Sequence, residues 1–95
     1  MSATTNKGRF EWDNATDDAN ALHFGGVRFI EAHTVPGDKN AVYFTRDTLS
    51  FVVGYTEHGH LVTVLYSVPY AGRVRIEAAW VASPTEAAIR ATRPR

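Results

Sequence analysis

The chain has 95 residues and a mass of 10.5 kDa, enough for one compact domain and too few for two. A hydrophobic share of 44% and a charged share of 21% exclude a disordered, collagen-like or coiled-coil chain. The absence of cysteine excludes disulfide frameworks, thiolate catalysis and sulfur-ligated zinc. Ten cationic and ten acidic residues cancel, but residues 1–50 carry five cations against seven acids (−2) and residues 51–95 five against three (+2). A nucleic-acid binder usually carries a basic excess, so any RNA contact here has to be local or assisted by a partner.

Residues 1–8 contain no apolar stretch of the secretory kind and read as a flexible polar tail ahead of a single domain at 9–90, with a frayed tail at 91–95. No apolar run reaches the ~18 residues of a membrane span, and a cytoplasmic location is the expectation. Arg9-Phe-Glu-Trp12 alternates as a short half-buried strand. Asp13 then suits the N-cap of a helix carrying Ala15, Ala19 and Leu22 on one face and ending at Gly25-Gly26. A second short helix is expected from Arg28 to His33, followed by the turn residues 35–40.

The pattern then becomes β: Ala41 to Phe44, Leu49 to Thr56, His60 to Val68 and Arg73 to Trp80, with hairpin loops at 57–60 and 69–72. In the last strand alternation puts Val74, Ile76, Ala78 and Trp80 on one side and Arg73, Arg75 and Glu77 on the other. Ser83-Pro-Thr-Glu86 has the spacing of a capping box with proline at the first helical position. The expected fold class is α+β, a single antiparallel sheet with helices packed on one face.

Several of these segments together resemble the BrnT-like toxins of bacterial type II toxin–antitoxin pairs, which have a RelE-like fold. The matching residues are Phe10-Glu-Trp-Asp13, Asn20, Gly25-Gly-Val27, Phe29-Ile-Glu-Ala32, Val53-Gly54, Leu61 to Tyr66, Arg73-Val-Arg-Ile76 and the Ser83 to Glu86 helix start. The similarity spans about residues 9 to 87. It implies a RelE/BrnT-like fold and a metal-independent endoribonuclease, neutralised by an antitoxin protein, acting on RNA that is free or ribosome-associated. The chain departs from the family pattern where a lysine becomes Thr16, where a Lys-His-Gly turn becomes His23-Phe-Gly25, where Asp47-Thr-Leu-Ser50 carries no arginine, and where Ser-Ala-Arg-Arg becomes Ala78-Ala-Trp-Val81.

RNA cleavage requires cations on the scissile phosphate and a proton-transfer group. Arg73 and Arg75, two apart on one strand and so about 7 Å apart on one face, suit a phosphate clamp. Glu77 continues that row, and His23 lies nearest the family's His-Gly turn. These four are the candidate catalytic residues, and a solvated Arg-Arg-Glu stripe is the structural alternative. Tyr70, Arg28 and Arg90 are candidate RNA or partner contacts, Tyr70 because a loop tyrosine beside Arg73 can stack on a base. His58 and His60 flank Gly59, but only Glu57 joins them, so no metal site is expected and no cofactor is implied. The expected function is a ribonuclease toxin neutralised by a cognate antitoxin; the alternative is a catalytically degenerate relative acting as a protein-binding or regulatory module, and in either case a homodimer or a hetero-oligomer with the antitoxin is the expected assembly.

Overall fold

The computed structural model describes residues 3–92. Its elements are β1 (Thr4–Lys7), β2 (Phe10–Asp13), α1 (Asn14–His23), α2 (Phe29–Ala32), a 3-10 turn (Val35–Gly37), β3 (Val42–Arg46), β4 (Leu49–Tyr55), β5 (Leu61–Tyr70), β6 (Arg73–Val81) and α3 (Pro84–Ala91). The α+β class is as expected. Six strands form one sheet in the order β1-β2-β6-β5-β4-β3.

Several expectations need correction. The sheet is mixed, because β2 pairs with β6 in parallel through Phe10↔Val74 and Glu11↔Arg75 while all other pairs are antiparallel. Within the segment read as a polar tail, Thr4–Lys7 forms an edge strand folded back on β2, with Thr5 opposite Trp12 and Asn6 opposite Glu11. Polar side chains hid this strand because an edge strand needs backbone pairing more than an apolar face. The frayed end assigned to 91–95 is helical as far as Ala91, with Thr92 as its cap, and residues 93–95 lie outside the described residues.

The helices also divide between the two sides of the sheet. Trp12, Val52, Val62, Val64, Ile76 and Ala79 form the inner face and pack under α2 and the 3-10 turn with Phe29, Ala32 and Val35. Alternation sends Phe51, Val53, Thr63 and Trp80 to the outer face. There α3 lies against β4, and the Trp80 indole donates to Glu86 at 3.0 Å. The expected position of Trp80 beside Ile76 fails for a local reason. The register passes from Leu65↔Ala78 to Tyr66↔Ile76, so Glu77 is an extra residue on β6 and reverses the alternation beyond it.

Local chemistry explains the helix ends. Asp13 accepts from the Ala15 and Thr16 N–H groups, and Ser83 and Glu86 form the complete reciprocal capping box. Beyond its short pairing with β2, β6 would present bare backbone along that side. Asn20 of α1 closes it: its amide accepts from Ala79 N at 2.9 Å and donates to Ala79 O at 2.8 Å and Val27 O at 3.1 Å. Gly54 is required by close approach, since a Cβ there would lie 3.0 Å from Asp38 Oδ2 and 3.1 Å from Ala41 Cβ.

Candidate functional site

The outer face at the β2–β6 junction gathers Arg73, Arg75, Glu77 and Glu11. The two arginines share a side as alternation predicts, and Glu11 stands between them on the parallel neighbour strand. Arg73 Nε donates to Glu11 Oε1 at 2.9 Å, and Arg75 donates to Glu11 Oε2 through Nε at 3.0 Å and Nη2 at 2.8 Å. Arg73 also donates to the Gly8 carbonyl at 2.7 Å and to the Asn6 side chain. Every nitrogen of Arg73 is therefore engaged within the protein, in contacts that lock the β1–β2 hairpin to β6.

Glu11 keeps only 8% of its side-chain exposure. The hydrogen bonds from Arg75 and then Arg73 hold its carboxyl below the usual range, and the same contact raises Arg75. Arg75 keeps 46% exposure and borders a polar cleft of about 320 Å³ with Thr16 and Glu77. Glu77 accepts from Ser67 Oγ at 2.7 Å. The four charges Arg73, Arg75, Glu11 and Glu77 sum to zero, so a phosphate entering the cleft meets a compensated group rather than two open guanidiniums.

The remaining candidates sit elsewhere in the fold. His23 is the exposed last residue of α1, at the end where a helix dipole favours a cation. Arg28 immediately precedes α2 and pairs with Asp18 at 2.7 Å and Asp17 at 3.6 Å. Arg90 of α3 grips Asp38 through Nε at 2.8 Å and Nη2 at 3.1 Å, with its guanidinium 4.5 Å above the Tyr55 ring. With the Tyr55 and Asn40 N–H groups also donating to it, Asp38 is lowered to about 2, the Arg90 hydrogen bond being the largest cause. Tyr70 faces Arg73 across the β5–β6 hairpin and is exposed. Among the residues proposed from sequence, only Arg73, Arg75, Glu77 and Tyr70 are thus neighbours on one hairpin.

His58 and His60 do not converge. His60 Nδ1 lies 2.5 Å from Glu31, which also accepts from Thr56, while His58 faces Glu57 at 3.8 Å. The described residues contain no group of three or more histidines and carboxylates that could hold a metal ion.

Two features went unseen in the sequence. Glu11 belongs with the arginines, and the signal was its alternation with Phe10 and Trp12, which sends it to the opposite face; its partner strand was not legible. The second is an aromatic row on the outer face: Phe44 stacks on Phe51 at 5.1 Å, Phe51 meets Trp80 at 6.1 Å, and Phe24 reaches Trp80 at 5.7 Å from the end of α1. Exposed Leu49 lies on the same face at the β3–β4 hairpin.

No protein-family model matches the sequence, and no curated protein matches it. Residues of the motifs singled out in the sequence have structural roles here. Phe29 and Ala32 are core, Asp13 and Ser83 are caps, Asn20 closes β6, and Glu11, Arg73 and Arg75 tie two strands together.

Proposed function

We propose that the chain is a catalytically degenerate protein of the BrnT-like, RelE-like kind that acts as a protein-binding module. The observation that carries this reading is the Glu11 bridge, which engages both arginines of the would-be phosphate clamp. The neutral net charge points the same way. The surface offered to a partner is exposed Leu49 and Phe24 with half-buried Phe44 and Trp80, laid over the buried Phe51, since aromatic patches supply the central contacts of protein interfaces. The partner is an antitoxin-like protein, or a second copy of this chain.

A ribonuclease toxin is the second reading, favoured by the half-exposed Arg75 beside its cleft. In that case Arg75 stabilises the phosphate charge, with Glu77 as the neighbouring carboxylate. Induced expression in a bacterial host, with growth curves and primer extension on cellular RNA, separates the two. The module reading expects normal growth and intact RNA at confirmed soluble expression. Growth arrest with discrete cuts, both lost in Arg75→Ala, would replace it with the toxin.

A further inference from the structure

On the inner face, away from the arginine row, a cavity of about 220 Å³ opens between the sheet and the segment from α2 to the 3-10 turn. Its floor is Val52, Val64, Val74 and Ile76, which offers a ligand neither donor nor acceptor. One wall is fixed by hydrogen bonding and ring contacts. His33 Nδ1 lies 2.6 Å from the Ile30 carbonyl, which can only accept, so Nδ1 carries the proton and the ring is held. That ring meets Phe10 edge-on at 5.7 Å and Trp12 at 5.7 Å.

Three further residues bring polar groups to the lining, Arg9, Tyr43 and Tyr66. Tyr43 and Tyr66 meet edge to face at 6.1 Å, and both line the cavity. Burial and then the neighbouring Tyr43 raise the Tyr66 phenol and outweigh a hydrogen bond with the Ser50 side chain, so it stays protonated. Arg9 lines the cavity too, with its guanidinium 5.2 Å over the Phe10 ring; Asp38 and Glu57 line the adjoining cleft with it, and neither forms an ion pair with Arg9 within 4 Å. One cation and two phenols therefore border an apolar, ring-walled space.

We propose that this cavity binds a small aromatic carboxylate, its ring between Phe10, His33 and the valine floor and its carboxylate taken by Arg9 with Tyr43 and Tyr66. The size fits, because a cavity of ~150 Å³ with an apolar lining holds benzene, which leaves room here for a ring with a substituent. A carboxylate is the group that matches a guanidinium without a direct ion pair beside hydroxyl groups. A nucleobase fits less well, since its polar edge would be left unpaired against Val52, Val64 and Ile76.

The test is titration of the full chain with benzoate, benzamide and adenosine monophosphate, followed by amide chemical shifts and calorimetry. Benzoate is expected to saturate with a dissociation constant on the order of 1 mM, the scale for so small a ligand. Shifts should concentrate at residues 9–10, 32–36, 43 and 66, and benzamide should bind about tenfold more weakly, the size of one lost charged contact. Arg9→Gln should remove that preference while leaving the fold intact, and Tyr66→Phe should weaken benzoate severalfold. Absence of saturation with benzoate, an unchanged preference in Arg9→Gln, or saturable binding of the nucleotide alone would each overturn the proposal.

Discussion

Glu11 is the residue on which the polar face depends. With its carboxyl held below the usual value by two arginines, its contribution to stability is present above the unfolded carboxylate range and is lost as pH falls through the lowered folded value. Asp38 follows the same sign. Depressed from 3.8 to about 2, it stabilises the fold fully above the normal aspartate range and loses that contribution between about pH 4 and 2, roughly 2 kcal/mol in all. Acid unfolding of Asp38→Asn compared with the parent should show that loss: the variant starts less stable at neutral pH and the gap closes on acidification. A gap that stays constant from pH 7 to 2 would mean that Asp38 is not held by Arg90. Gly54→Ala is expected to cost about 1 to 3 kcal/mol in denaturant unfolding, because the added methyl meets Ala41 and the Asp38 carboxylate at contact distances too short to keep.

Between elements, the joint of α1 to β6 rests on one side chain. Asn20 satisfies both backbone groups of Ala79 and the Val27 carbonyl in a buried position. Asn20→Ala is therefore expected to destabilise by about 2 to 4 kcal/mol in urea unfolding, since each unpaired buried group costs about 1 to 3 kcal/mol. A change below about 0.5 kcal/mol, the usual size for an unimportant surface site, would contradict the role assigned to it. The elements themselves were largely legible: Asp13 and Ser83 announced two helix starts, and alternation announced the long strands. Three features were not. The pairing of Thr4–Lys7 leaves no apolar trace, the parallel contact of β2 with β6 joins residues more than sixty apart, and the extra residue at Glu77 moves Trp80 to the other face without any glycine or proline to mark it.

For the whole molecule, the two faces of the sheet carry different chemistry. The inner face holds the core and the ring-walled cavity; the outer face holds α3, the aromatic row and the compensated arginines. Which residues share a face was readable from strand alternation up to Glu77, so the Arg73, Arg75 and Glu77 row was found from sequence. Its charge balance was not readable, because Glu11 reaches it only through the tertiary pairing of β2 with β6. If Glu11 neutralises this face, removing its charge should create an affinity for polyanions that the parent lacks. The direct measurement is fluorescence anisotropy of a short single-stranded RNA at low salt with the parent, Glu11→Gln and Arg75→Ala, each confirmed folded by circular dichroism. Neither the parent nor Arg75→Ala is expected to bind saturably, whereas Glu11→Gln should bind weakly and in a salt-sensitive way. Tight binding by the parent that Arg75→Ala abolishes would contradict that neutralisation and identify the arginine row as an open phosphate site.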